Sequence, residues 1–247
     1  MLKLVIAGAG GRMGKTLVAA AEEISGVQLV STLSRHSGDS DIDTALSTAD
    51  VLIDFTRPEV TLNYLAICKK HGIKAVIGTT GFSPAQKRQI EAFAQYIAIV
   101  FAPNMSIGVN VSLQLVEAAA KALGLDYDIE VFEAHHKMKL DAPSGTALAL
   151  GEVAAKARGQ LLADVATYDR HGVSTERERG SIGFSVVRAG DIIGDHTVFF
   201  AGPGELIEIT HKSSSRATYA QGAMRAVKFL ADKKSGLFDM RDVLGLR

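Results

Sequence analysis

The sequence predicts an α/β protein: a doubly wound parallel sheet of the Rossmann type, with a smaller α+β domain built on a mixed sheet. Three observations carry this. Between Leu2 and Ala102 short apolar runs alternate with helix-patterned segments, a glycine-rich loop follows the first run, and from Ile182 onward the chain turns β-rich with glycine-containing turns.

Leu2 to Ala7 is an apolar run of buried-strand type, and Lys15 to Ile24 has helical apolar spacing; between them stands Gly8-Ala-Gly-Gly-Arg-Met-Gly14. Strand, glycine loop and helix follow in the order a dinucleotide-binding turn requires. The strict G-x-G-x-x-G pattern asks for glycine or alanine where Met13 stands, so the loop is better written Gly8-x-x-Gly11-x-x-Gly14. Gly8 suits the tight turn, Gly11 the close approach of a pyrophosphate and Gly14 the packing of helix on strand; Ala9, Gly10, Arg12 and Met13 complete the expected cofactor contacts.

The next strand, Val27 to Leu33, leads into Ser34 and Arg35, where the adenosine ribose is met about 20 residues after such a loop. No acidic side chain stands there to accept from a free 2'-hydroxyl, and Arg35 is suited to a 2'-phosphate. NADPH is therefore the expected cofactor. Arg35 as a solvated residue stacking on adenine is the other reading, and it leaves NADH use open.

Asp50 to Phe55, Lys74 to Gly78 and Ile97 to Ala102 are further short strands, separated by helices over Glu59 to His71 and Pro84 to Tyr96. In such sheets ligands bind at the carboxyl ends of strands. The turns Asp54-Phe-Thr-Arg-Pro58, Gly78-Thr-Thr-Gly-Phe82 and Ala102-Pro-Asn-Met105 are expected to line the cofactor crevice, with Gly78, Thr79 and Thr80 toward the nicotinamide and Ala102, Pro103, Asn104 and Met105 beside it.

A helix over Val109 to Leu123 precedes a strand begun by Tyr127 to Phe132 and expected to end at the histidines of the stretch Glu133-Ala-His-His-Lys-Met-Lys-Leu-Asp-Ala-Pro-Ser-Gly-Thr-Ala147. Pro143 and Ser144 announce a helix from Thr146 to Ala157, with Ser144 accepting a bond from a first-turn amide. Cationic side chains thus face a helix N-terminus, whose amides and partial positive charge, open to approach at Gly145, suit a carboxylate. An ordinary strand-loop-helix corner with solvated basic residues is the plainer reading. Strands over Ile182 to Arg188, Asp195 to Ala201 and Leu206 to His211 follow, then a helix over Ala217 to Ala231. Expected domains are residues 1–106 with 216–247 for the dinucleotide, and 107–215 for substrate and assembly.

Composition agrees with a globular chain: 247 residues, 47% hydrophobic, 22% charged and zero formal net charge. Nothing draws it toward nucleic acid or a membrane surface, and no apolar run reaches a spanning length. The single cysteine, Cys68, excludes an internal disulfide and suits a reducing compartment, so the cytoplasm is expected; no metal set is expected either.

With these residues in view, the whole chain resembles the 4-hydroxy-tetrahydrodipicolinate reductase (dihydrodipicolinate reductase) family of the bacterial lysine and diaminopimelate pathway. The resemblance rests on Ala7-Gly-Ala-Gly-Gly-Arg-Met-Gly14, Ile53-Asp-Phe-Thr-Arg-Pro58, Val76-Ile-Gly-Thr-Thr-Gly-Phe82, Glu133-Ala-His-His, Lys139 with Asp141-Ala-Pro-Ser-Gly-Thr146, Arg188-Ala-Gly-Asp191 and His211-Lys with Ser214-Ser-Arg216. It implies reduction of a cyclic dicarboxylate imine by nicotinamide hydride, with His135 and Lys139 as the acid pair, His136 touching the substrate, and Gly145 and Thr146 holding a carboxylate. It also implies a Rossmann domain completed by the C-terminal helix, and a homotetramer assembled through the sheets of the substrate domains. Family members often carry an acidic residue where Ser34 stands, which sets balanced NADH use apart from this chain. Arg216 is expected either at the substrate or in a salt bridge at the domain boundary. Two other readings are another Rossmann reductase of an amino-acid-derived carbonyl, which the histidine motif argues against, and a dinucleotide-sensing module without chemistry.

Overall fold

Short, mainly apolar runs with no regular polar alternation suit burial on both faces, which is the condition of a central parallel strand. In the computed structural model, which describes residues 1–173 and 175–247, four such runs are strands: β1 (Leu2–Ala7), β3 (Val51–Asp54), β4 (Lys74–Ile77) and β5 (Ala98–Phe101), with β2 (Val27–Leu33) among them more polar. The helices between them are α1 (Arg12–Glu23), α2 (Asp39–Ser47), α3 (Pro58–His71) and α4 (Pro84–Ala94). Local chemistry sets their ends. α3 starts with Pro58 in its first turn, gathers Lys69, Lys70 and His71 in its last, and stops on Gly72 in the left-handed region at φ 70°. The Ser83 hydroxyl accepts from Gln86 N to cap α4.

The chain continues through α5 (Ile107–Leu123), β6 (Asp128–His135), α6 (Gly145–Ala157), α7 (Leu162–Val165), β7 (Ala166–Thr167), β8 (Ile182–Arg188), β9 (Gly194–Gly202) and β10 (Glu205–Ser213), and closes with α8 (Ala217–Phe229), a 3₁₀ turn, β11 (Gly236–Phe238) and α9 (Met240–Leu244). It divides into two compact units, residues 1–107 with 216–247 and residues 108–215.

In the first unit six parallel strands run in the order β11-β5-β4-β3-β1-β2. Strand order reverses between β1 and β3, so the glycine loop after β1 leaves at the topological switch point. Leu17 and Ala21 of α1 with Ala220, Ala223, Met224 and Val227 of α8 cover one face of this sheet; Tyr64, Leu65, Cys68 and Ile90 of α3 and α4 cover the other. Cys68 is a core residue whose thiol burial pushes well above its ordinary range.

The second unit holds a five-stranded mixed sheet, β10-β9-β6-β8-β7, in which β6 is antiparallel to β9 and parallel to β8. Val116 and Ala120 of α5 and Ala147, Leu150 and Ala154 of α6 pack on Ile129, Val131, Phe184, Val198 and Phe200. α2, α7, β7, β11 and α9 are additions to the sequence-based expectation. They are short or polar segments whose structure depends on partners, as β11 depends on pairing with β5. Among the described residues no helix is long and apolar enough to cross a membrane.

Candidate dinucleotide loop and histidine site

The first unit's candidate site grows from backbone sterics. Gly8 has φ +77°, and a Cβ there would lie 2.9 Å from the Phe55 carbonyl oxygen; at Gly14 a Cβ would lie 2.1 Å from the Gly8 carbonyl oxygen. Glycine is therefore demanded at both positions, by conformation at one and by the closeness of α1 to the loop at the other. Gly8 N and Ala9 N both donate to the Leu33 carbonyl, which ties the loop to the end of β2 and so to the turn bearing Ser34 and Arg35. α1 starts at Gly11 with no side-chain cap and no acidic residue in its first turn; Gly10, Gly11 and Arg12 are exposed, and a Cβ on Gly10 would meet nothing. An uncapped helix start with open backbone beside it fits a dinucleotide pyrophosphate. Met13 departs from the glycine pattern because its side chain packs against the core.

The other strand-end residues divide into framework and surface. A Cβ on Gly78 would sit 2.2 Å from the Phe55 ring, so that glycine makes room for an aromatic side chain. Thr79 is buried, and its hydroxyl accepts from Thr56 N at 2.8 Å. Ala102 and Met105 belong to the core, whereas Thr80 and Pro103 are exposed; Asn104 Oδ1 accepts from Ser106 N at 2.9 Å. Arg35 is exposed, its Nε donating to His36 Nε2 at 3.2 Å. Arg216 is the N-cap residue of α8.

In the second unit β6 runs past Phe132 to His135, because its ladder with β8 continues to the His135 and Arg188 pair. The strand ends at the histidines, as expected, three residues beyond Phe132: His135 is a strand residue, while His136 and Lys139 lie on the turn beyond, closed by Lys139 N donating to the His136 carbonyl at 3.1 Å. The two-residue period of a strand sets Glu133 and His135 on one face. Glu133 is fully buried. Its Oε2 lies 2.5 Å from His135 Nδ1 and accepts from Arg188 Nη1 at 2.8 Å, while Oε1 accepts from Arg188 Nη2 at 2.8 Å and from Ser144 N at 3.0 Å.

Ser144 caps α6 as expected, its hydroxyl accepting from Ala147 N at 3.1 Å, and the same hydroxyl lies 3.0 Å from His196 Nε2. The His135 and His196 rings meet edge-to-face at 5.1 Å, and His211 is the cross-strand partner of His196. Gly145 is exposed, and a Cβ on it would meet nothing within 4 Å, so the helix start is open there; Thr146 follows, half-buried. Lys139 Nζ donates to both carboxylate oxygens of Asp141, at 2.8 and 2.7 Å.

Electrostatics follow from these contacts. Burial works to raise the Glu133 carboxyl, but the bonds from Arg188, His135 and the Ser144 amide together hold it below the usual carboxylate range. Burial lowers His135, against the opposing pull of Glu133, and pushes His196 down to about 4. The Asp141 carboxyl is lowered by its bond from Lys139. The corner thus offers a neutral imidazole on an ionised carboxylate, an ammonium group and an open helix N-terminus, which is equipment for binding a carboxylate and moving a proton. Among the described residues no group of His, Cys, Asp and Glu is arranged to hold a metal ion.

The family model described as dihydrodipicolinate reductase, N-terminus, matches residues 2–105, and the one described as dihydrodipicolinate reductase, C-terminus, matches residues 108–244. The chain belongs to the dihydrodipicolinate reductase family. Its relatives named 4-hydroxy-tetrahydrodipicolinate reductase include one from Nitrosospira multiformis, 54% identical over 100% of this chain and 98% of the relative, and one from Bordetella parapertussis, 55% identical over 99% and 97%. Among solved structures, the dipicolinate-bound dihydrodipicolinate reductase from Paenisporosarcina sp. TG-14 has the same fold, with a TM-score of 0.78 at 24% identity over 98% of each chain.

Sequence reasoning about this dihydrodipicolinate reductase family member singled out the histidines and Lys139 but assigned nothing to Glu133, Arg188, His196 or Asp141. A signal for Glu133 was present, since an acidic residue two places before a strand histidine shares its face. Arg188 and His196 come from other strands, and only the ladder brings them in.

Proposed function

We propose that this chain is a 4-hydroxy-tetrahydrodipicolinate reductase, reducing the cyclic dihydrodipicolinate-type substrate to tetrahydrodipicolinate with NADPH preferred over NADH. The observation that carries the reading is the buried Glu133 and His135 pair standing next to the open start of α6, in a chain of this family. The nicotinamide, when bound, supplies the hydride. Gly8, Ala9, Gly10, Gly11, Arg12 and Met13 are the residues to hold the pyrophosphate, and Arg35, with Ser34 rather than an acidic residue before it, favours a 2'-phosphate. Gly78, Thr79, Thr80 and the segment Ala102 to Met105 hold the nicotinamide half, Thr79 and Met105 through backbone, because their side chains are committed to the fold.

On the substrate side, Gly145 and Thr146 present the α6 start to one carboxylate and His136 contacts the ring. His135 and Lys139 supply the proton to the carbon next to the reduced centre. The Lys139 ammonium can leave Asp141 for this task, since Asp141 is 63% exposed and an ion pair so open to water is worth little. The dipicolinate seen in the relative from Paenisporosarcina, a planar dicarboxylate, has the charge pattern this corner fits. Apolar side chains exposed on β8 and β10, Val186, Val187, Leu206 and Ile207, support assembly of four copies through these sheets. The reduced, buried Cys68 fits work in the cytoplasm.

The test is oxidation of NADPH and NADH, followed by absorbance, on substrate generated freshly from pyruvate and aspartate semialdehyde by a coupled synthase. Fast NADPH oxidation with slower NADH oxidation is expected; no oxidation of either by folded protein that binds the nucleotide overturns the reading.

A further inference from the structure

The proton-transfer role of His135 leaves a question of chemistry: which ring nitrogen carries the proton, and what sets it. Nδ1 lies 2.5 Å from Glu133 Oε2. An ionised carboxylate has no proton to give, so the shared proton belongs to Nδ1 and the lone pair of the neutral ring to Nε2. Glu133 is itself over-determined, with two bonds from Arg188 and one from the Ser144 amide, the N-cap residue of the helix expected to hold a substrate carboxylate. Gly194 completes the arrangement, since a Cβ there would lie 3.0 Å from His135 Nε2 and crowd the working nitrogen.

We infer that Glu133 is the positioning residue of His135: it fixes the Nδ1–H tautomer, directs Nε2 to the substrate, and stabilises the imidazolium that donates the proton. Charged or titratable groups face His135 from every side of this arrangement. Glu133 is on its own strand, Arg188 at the end of β8, His196 on β9 with His211 behind it on β10, and Lys139 on the turn. Glu133 is the one anion among these, so it alone favours the protonated ring. It also couples the acid to the carboxylate-binding helix start through Ser144. The inference rests on His135 being the acid of the reaction proposed above, though the tautomer itself does not.

Two measurements test it. In the wild-type protein labelled with ¹⁵N-histidine, with His135 assigned by its loss in His135→Gln, the neutral ring is expected as the Nδ1–H tautomer; an Nε2–H tautomer overturns the inference without any variant having to fold. Steady-state kinetics of Glu133→Gln, with circular dichroism to verify folding, are expected to show kcat reduced about 10²-fold or more. The KM for substrate and the NADPH affinity should stay within about threefold, the alkaline limb of the pH profile, set by loss of the His135 proton, should move to lower pH, and Glu133→Asp should recover part of the rate. Parallel losses in kcat and KM with an unmoved pH profile would assign Glu133 to structure alone and overturn the inference. Wild-type protein inactive on the substrate but showing the Nδ1–H tautomer would sink the functional reading while leaving the Glu133 and His135 pairing intact.

Discussion

Lys139 and His196 illustrate how differently two basic side chains of one site are held. Lys139 is held by an exposed carboxylate and keeps its freedom to act. Lys139→Ala is expected to lower kcat about 10²- to 10⁴-fold while leaving NADPH affinity within a few-fold, by steady-state kinetics and fluorescence titration; a large loss of cofactor affinity would move Lys139 out of the substrate site. His196 is instead kept neutral, pushed down to about 4 from an ordinary 6.5 by burial and by the neighbouring His135. Between those two values the unfolded chain binds a proton that the folded chain does not, so stability is full above about pH 6.5 and declines as the pH falls toward 4, by about 3 kcal/mol in all. Urea unfolding at pH 7 and pH 5 should show the decline, and His196→Gln should reduce it. His135, lowered in the same direction, contributes with the same sign, whereas Glu133 adds its own loss only as the pH falls below the ordinary carboxylate range.

At the scale of elements, the start of α6 was legible because a capping serine acts within one turn of its own chain. Ser144→Ala is expected to cost about 1 kcal/mol for the cap and about as much again for leaving His196 Nε2 buried without its partner, measured by chemical unfolding. An unchanged midpoint would mean that the Ser144 hydroxyl carries no such weight. The glycine loop was legible for the same local reason, through φ and close approach. Gly14→Ala puts a methyl group 2.1 Å from the Gly8 carbonyl oxygen, so a loss of about 1–3 kcal/mol is expected together with weakened nucleotide binding. The end of β6 at the histidines was legible, but the means by which a strand carries a buried carboxylate there was not. Arg188 pairs with Glu133, and the β8 ladder runs on beside it.

For the whole molecule, the proposed assembly carries a direct prediction: sedimentation equilibrium should give a mass four times the 26.2 kDa of one chain, and Leu206→Lys on the exposed strand β10 should shift it downward. A wild-type mass of one chain would remove the tetramer from the reading. The alternation of apolar runs and helices, the glycine loop and the histidine motif already determined a dinucleotide-type sheet followed by a mixed-sheet unit, because periodicity, turn chemistry and capping act over a few neighbouring residues. Tertiary structure alone decided that Glu133 is an ionised, buried partner of His135, that Thr79 and Met105 serve the fold, and that Gly236–Phe238 makes the sixth strand of the first sheet. Each of these depends on a partner far away in sequence or on burial, and neither a charge state nor a ladder exists until the chain has closed around it.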